Sequence, residues 1–296
     1  MAADDISFSI APGETFGLVG ESGSGKTTVA RSIMRFFRPD YGSIFFDGKD
    51  IINSSRSKQK FFSQQIQYIF QNPYSSLNPT MRALDIVTEP LYIHFRLSRT
   101  EKYQRAEKLF TLVGLPLKDL HRFPHEFSGG QRQRIGIARS LALNPRLIIC
   151  DEPLSALDVS IQGQIVNLLK KFQDTLGITY LFISHDLTMV KYLASKIGVM
   201  YLGHLVEIAP TDRLYAHPLH PYTQSLLSAI LPPFPPVEEK RRVVAQVTPL
   251  PQPRASEKGC LFCDRCPKAM QICKEKAPQL NTFSKDHRVA CHLYTL

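Results

Sequence analysis

Gly20-Glu21-Ser22-Gly23-Ser24-Gly25-Lys26-Thr27 is the stretch on which the reading of this 296-residue chain turns. It satisfies G-x-x-x-x-G-K-[ST] at every position. Glycines at this spacing let the backbone curl so that successive N–H groups point inward at phosphate oxygens. Lys26 supplies a mobile cation for β- and γ-phosphates, and the Thr27 hydroxyl is a hard oxygen ligand for Mg²⁺. Thr28 follows in the same turn. Glu14 to Gly20 reads as a short strand leading into the loop. Lys26 to Phe37 has helical periodicity, with Pro39 as its stop. The start of that helix adds its positive dipole end to the cradle.

Outward from the loop, Leu147-Ile148-Ile149-Cys150-Asp151-Glu152 is an apolar run ending in two carboxylates. In a parallel sheet, ligands sit beyond the carboxyl ends of the strands. Asp151 is therefore expected to face a nucleotide and hold Mg²⁺. Glu152 is expected to reach a water attacking the γ-phosphate. Cys150 reads as a buried small apolar residue. A second glycine motif, Ser128-Gly129-Gly130-Gln131, precedes a helix running to about Leu143 and reads as a second anion site. Two cradles about 100 residues apart serve one nucleotide only if a second copy supplies the second cradle.

The remaining patterns alternate. Gly42 to Asp47, Ile66 to Phe70, Thr179 to Ser184, Ile197 to Leu202 and Leu205 to Ile208 read as strands. Ile161 to Leu176 and Asp186 to Ala194 read as helices. Helical patterns dominate from Ser75 to Leu143, with breaks expected at Pro79, Pro90, Pro116 and Pro124. Strands alternating with helices imply an α/β domain with a mostly parallel sheet. Seven prolines between Leu231 and Arg254 preclude a continuous helix or central strand, so a semi-rigid linker is expected there.

These residues carry a family. Ser128 to Gln131 resembles the signature motif of ABC ATPases, and Gly20 to Thr27 resembles their Walker A loop. Leu147 to Asp151 resembles Walker B, Ser155-Ala156-Leu157-Asp158 the D-loop, Gln71 the Q-loop glutamine, and His185 the switch histidine. The resemblance implies a P-loop, ABC-type nucleotide-binding domain over residues 1–230, with a helical subdomain at about 72–143. It implies a head-to-tail dimer that sandwiches two ATP molecules, each between the Gly20–Thr28 loop of one subunit and Ser128 to Gln131 of the other. It further implies Glu152 as catalytic base, His185 on the γ-phosphate, Lys26 on the phosphates and Asp158 among the nucleotide-binding residues. Thr27, Gln71 and Asp151 would hold Mg²⁺, and Gln71 would also meet the attacking water as a catalytic residue.

Phe70-Gln71-Asn72-Pro73-Tyr74-Ser75-Ser76-Leu77-Asn78-Pro79, His220-Pro221-Tyr222-Thr223 and the cysteine-bearing tail resemble the dipeptide, oligopeptide and nickel importer ATPases. That implies a chain energising peptide uptake, with nickel as the alternative cargo. The implied partners are a second ATPase, expected as a paralogue, two membrane-spanning permeases and an extracytoplasmic binding protein. The implied place is the cytoplasmic face of the cell membrane. The segment from Gln71 to Leu120 is where such families meet the permease. Phe8 and Phe16 are the aromatic candidates for adenine ahead of the loop, and both read better as strand core.

The formal charge of +10 and pI near 9.3 favour anionic partners. Between Glu238 and Leu296 stand 11 Lys and Arg against 6 Asp and Glu. A soluble ABC ATPase acting on nucleic acid is the competing reading. Only the 56 residues Asn72 to Phe127 separate Gln71 from Ser128, without sustained heptads, so no nucleic-acid partner is expected. No apolar run of about 18 residues occurs, and Met1 to Ile10 lacks the basic start of a signal peptide.

Five of the six cysteines fall within residues 257–296, spaced Cys260-x2-Cys263-x2-Cys266-x6-Cys273-x17-Cys291. Thiols so spaced suit a soft metal centre, iron–sulfur or zinc, or remain free. The importer resemblance implies a [4Fe–4S] cluster on Cys260, Cys266, Cys273 and Cys291, with Cys263 as a substitute ligand.

Overall fold

Thr15–Val19 (TFGLV) forms the first strand, β1, with all five residues buried. Such a run suits a strand covered on both faces. Across the glycine-rich turn lies α1, Lys26–Ile33. The computed structural model describes residues 3–229 and 258–294; the expected linker at 231–256 lies outside them.

In chain order there follow β2 (Phe45–Phe46), β3 (Lys49–Asp50), α2 (Arg56–Gln65), β4 (Ile66–Ile69), α3 (Pro73–Ser76), α4 (Ala83–His94), α5 (Arg99–Leu112) and α6 (Gly129–Leu141). Then come β5 (Leu147–Asp151), α7 (Val159–Leu176), β6 (Thr179–Ser184), α8 (Leu187–Leu193), β7 (Lys196–Tyr201), β8 (His204–Pro210), α9 (Thr211–Ala216) and α10 (Pro221–Ser228). The tail holds α11 (Gln271–Glu275), β9 (Asn281–Ser284) and β10 (His287–Val289). Among the described residues no helix is long and apolar enough to cross a membrane.

The chain divides into two compact units. One gathers the described residues of Met1–Phe8, Phe16–Lys26 and His185–Leu296; the other gathers Ser9–Thr15 and Thr27–Ser184. In the second unit β4, β5 and β6 run parallel, with Ile69 beside Cys150 and Asp151 beside Ile183. Ile148, Ile149 and Cys150 are fully buried. α7 begins two residues before the expected Ile161 and ends at Gly177 (φ 66). Pro90 is a correction: it breaks nothing and sits inside α4. It removes one i→i−4 hydrogen bond, while buried Ile86, Val87 and Leu91 hold the helix by packing. The strand expected over Gly42 to Asp47 shrinks to Phe45–Phe46, because Asp47-Gly48 folds it back on Lys49–Asp50 as a tight hairpin.

In the first unit β1 pairs parallel with β7, and the pairings beyond are antiparallel: β7 with β8, β8 with β10, and β10 with β9. Only two residues, Leu202 and Gly203, join β7 to β8. A connection that short permits only an antiparallel pair. The tail therefore adds two strands beside β8, which cysteine spacing and local pattern did not announce.

Candidate functional site

The loop leaves β1 at Gly20. A Cβ there would lie 2.2 Å from the Met200 carbonyl oxygen, and φ is +151, so only glycine fits. Lys26 is buried, and its ammonium donates to Gly20 O (2.9 Å), Glu21 O (2.8 Å) and Ser24 Oγ (3.2 Å). The side chain expected to meet phosphates is thus folded back onto its own loop. Gly203 N also donates to Ser24 O, tying the loop to the β7–β8 turn. In the same unit His185 is exposed and precedes Asp186, which caps α8 by accepting from Thr188 N and Met189 N.

In the second unit the Thr27 hydroxyl donates to Asp151 Oδ1 at 2.9 Å. Two hard oxygens, one on a carboxylate 3% exposed, meet where the sequence placed a Mg²⁺ pair. Tyr68 was not anticipated. Its hydroxyl donates to Asp151 Oδ2 at 2.6 Å, and burial followed by the Asp151 charge pushes its phenol pKa up, so it stays a donor. Nothing in the apolar alternation of Ile66 to Phe70 distinguishes Tyr68 from a core aromatic.

Glu152 follows β5 with φ 46, a backbone conformation costly for a residue with a Cβ. Its N–H donates to Ile183 O (2.9 Å), which anchors the turn on β6. The turn aims the carboxylate at Gln71, whose Nε2 donates to Glu152 Oε2 at 2.9 Å. Two residues 81 positions apart, both expected at the reacting water, are therefore in contact.

Ser128 caps α6 in a capping box: its Oγ accepts from Gln131 N (3.3 Å), and Gln131 Oε1 accepts from Ser128 N (3.0 Å). Ser128 is exposed. A Cβ on Gly130 would stand 2.7 Å from Ile161 Cγ2, so glycine there lets α6 approach α7. Asp158 is the N-cap residue of α7, yet its side chain makes no capping bond. The segment after Gln71 is fastened to α6: Arg139 donates to Ser76 O (2.7 Å), and the Arg132 guanidinium stacks 3.9 Å from the Tyr74 ring centroid.

Phe8 stacks on buried Phe16, ring centroids 4.6 Å apart. Both aromatics ahead of the loop are thereby engaged in core packing.

The five tail cysteines are Cys260, Cys263, Cys266, Cys273 and Cys291. All are free thiols, and among the described residues no group of three or more His, Cys, Asp or Glu is arranged to hold a metal ion. The structure gives no support to the [4Fe–4S] set Cys260, Cys266, Cys273 and Cys291, with Cys263 as substitute or with zinc in its place. Burial pushes the Cys260 thiol up to about 11 and raises Cys263, Cys266 and Cys291; neighbouring thiols add to the rise. Main-chain bonds shape the segment instead, Cys260 N donating to Cys273 O at 2.7 Å and Cys263 N to Cys260 O at 3.0 Å.

His220 is the N-cap of α10. Its Nδ1 accepts from Tyr222 N at 3.0 Å, so that nitrogen carries no proton. Burial lowers its pKa to about 4, against an opposing pull from Glu207. Below the unfolded pKa near 6.5 the unfolded chain takes a proton that the folded one refuses. Stability present at neutral pH is therefore lost as pH falls from about 6.5 toward 4, at roughly 1.4 kcal/mol per unit. Urea midpoints at pH 7.5 and pH 5 are expected to show this fall in the wild type and a shallower one in His220→Gln.

The model of the ABC transporter family matches residues 3–155, and that of the oligopeptide/dipeptide transporter C-terminal region matches residues 206–273. The chain is 48% identical over 301 residues to the oligopeptide transport ATP-binding protein AppF of Bacillus subtilis, covering 99% of this chain and 90% of that protein. It is 57% identical over 243 residues to the oligopeptide transport ATP-binding protein OppF of the same organism, covering 81% and 79%. Among solved structures it resembles the dimeric, post-hydrolysis ATP-binding cassette MJ0796 bound to ADP and Pi, with TM-score 0.65 and 30% identity over 71% of this chain and 90% of that one. It also resembles cbiO1 of Clostridium perfringens, part of the ABC transporter complex cbiONQ, with TM-score 0.66 and 27% identity over 73% and 84%. With a cassette model matching its front, a transporter-specific model matching its tail and close relatives along almost its whole length, the chain belongs to the ABC transporter family.

Proposed function

We propose that this chain hydrolyses ATP as one half of a head-to-tail pair, and that the cycle drives peptide import through two permeases at the cytoplasmic membrane face. The observation that carries the chemistry is the pair of contacts at the end of β5: Thr27 on Asp151, and Gln71 on Glu152. Thr27, Asp151 and Gln71 would hold Mg²⁺, which neutralises charge on the transferred phosphoryl group. Glu152 orients the attacking water and takes its proton. Gly20, Glu21, Ser22, Gly23, Ser24 and Gly25 form the cradle around the phosphates, with Thr28 in the turn that follows. Lys26 exchanges its loop carbonyls for phosphate oxygens, and His185 meets the γ-phosphate. Ser128, Gly129, Gly130, Gln131 and Asp158 serve the nucleotide of the partner, consistent with an exposed Ser128 and an uncommitted Asp158 cap.

Peptide as cargo is supported by the match to the oligopeptide/dipeptide transporter C-terminal region and by relatives that are oligopeptide transport ATP-binding proteins. The permease surface is supported by an open cavity of about 990 Å³ whose lining includes Phe70, Glu89, Pro90, Ile93 and Arg139. Because Arg139 also reaches Ser76, a permease segment seated there is placed to move the Gln71 strand end. The second ATPase, the binding protein and the membrane location belong to the same reading. Its test is growth of the source cell on a di- or oligopeptide as sole source of a required amino acid. Loss of the chain is expected to abolish that growth and spare growth on the free amino acid. Unchanged peptide use with lost nickel accumulation would replace peptide by nickel.

A further inference from the structure

Glu21, the second residue of the phosphate loop, is held by the tail. Arg265 Nη2 lies 2.9 Å from Glu21 Oε1, and Nη1 lies 3.1 Å from Oε2. This two-pronged pairing fixes the carboxylate in orientation as well as in charge. The pair is sheltered, with side chains 17% and 29% exposed. Arg265 Nη1 also lies 3.4 Å from the Tyr201 hydroxyl, and the guanidinium rests 5.7 Å and 5.6 Å from the Tyr201 and Phe262 ring centroids.

The loop's main chain is held from the same side. Glu21 N donates to the Tyr222 hydroxyl at 2.9 Å. The rings of Tyr201, Tyr222 and Phe262 pack tilted or edge-on against one another, with centroids 4.6 to 5.5 Å apart. Arg265 closes the 3₁₀ turn Cys263–Arg265, directly after Phe262. Arginine and aromatics thus form one packed block under the loop.

The electrostatics give the block a purpose. A loop that receives a polyphosphate carries a carboxylate as its second residue. Left alone, Glu21 would repel the incoming anion, and sheltered charges are only weakly screened by salt. We propose that Arg265 is a positioning residue for nucleotide binding: it neutralises Glu21 and, with Tyr222, holds the phosphate loop in its receptive shape, which makes the C-terminal tail part of the nucleotide site. This rests on the reading of Gly20–Thr27 as an ATP cradle.

The test is a double-variant cycle on the full chain, read by titration with the fluorescent nucleotide mant-ADP. Arg265→Gln is expected to raise Kd about ten-fold, the size of one lost charge-assisted interaction. Arg265→Lys, which keeps charge without the fork, is expected to fall between it and the wild type. The Glu21→Gln/Arg265→Gln variant is expected to bind within about two-fold of Glu21→Gln alone, because the uncompensated carboxylate is gone. In ATPase assays the loss should fall on KM more than on kcat. A purely structural role would move the urea midpoint and leave this coupling absent. Arg265→Gln binding as tightly as the wild type overturns the proposal, as does an equal Arg265→Gln effect with and without Glu21. Should Arg265→Gln fail to fold, Arg265→Lys binding as tightly as the wild type overturns it instead. A wild-type chain that binds no mant-ADP overturns the ATP reading itself.

Discussion

Glu152→Gln is expected to cut steady-state ATP turnover by about a hundred-fold or more, the range that removal of a general base produces, while the ATP-bound pair persists. The geometry explains both halves. Glu152 stands just past the buried end of β5 in a strained φ 46 turn, with its N–H on Ile183 O. Such strain persists only where the surroundings impose it, and it projects the carboxylate beyond the strand. Gln71 Nε2 donates to Oε2 at 2.9 Å, which fixes the carboxylate at the side chain read as its neighbour at the reacting water. A glutamine keeps the shape and can still meet Gln71 through its carbonyl, but it cannot take a proton. Nucleotide binding, assigned above to Gly20 to Thr28, is expected to stay in place. Phosphate release and size-exclusion chromatography in the presence of ATP measure the two effects. Normal turnover would remove Glu152 from the role.

Glu207→Leu is expected to lower stability by about 3 kcal/mol or more, the cost of stripping a buried carboxylate from several donors. Glu207 is fully buried on β8. Its Oε1 accepts from Leu219 N (2.8 Å) and lies 2.7 Å from His287 Nε2, and its Oε2 accepts from His220 N (2.9 Å). One side chain thereby joins β8, the entry to α10 and β10 of the tail. A leucine fills the volume but leaves two main-chain N–H groups and an imidazole without an acceptor. Glu207→Gln retains one carbonyl acceptor and is expected to lose distinctly less. Urea unfolding of the two variants side by side checks this; equal midpoints for Glu207→Leu and the wild type would refute it. Because β10 is fastened here, the tail should become susceptible to protease before the rest of the chain in Glu207→Leu.

The nucleotide loop, the acidic pair and the Ser128 motif were legible in the chain alone, because each is a local device. A curled backbone needs its glycines at set intervals, and a helix start needs its cap beside it. The contacts Thr27–Asp151 and Gln71–Glu152 join residues that these motifs had already singled out. Proline was the misleading signal. Pro90 reads as a break by its missing N–H, but the apolar face of α4 outweighs one lost hydrogen bond.

From residue types and intervals alone came the α/β architecture with its phosphate cradle, the carboxylates beyond β5 and the family those motifs belong to. Folding in three dimensions decided which partners complete those groups. Tyr68 on Asp151, Glu207 on His287 and Arg265 on Glu21 join positions 83, 80 and 244 residues apart. A hydrogen bond between distant positions leaves no periodic trace in either segment. The role of such a tyrosine, glutamate or arginine therefore becomes readable only when packing brings its partner within about 3 Å.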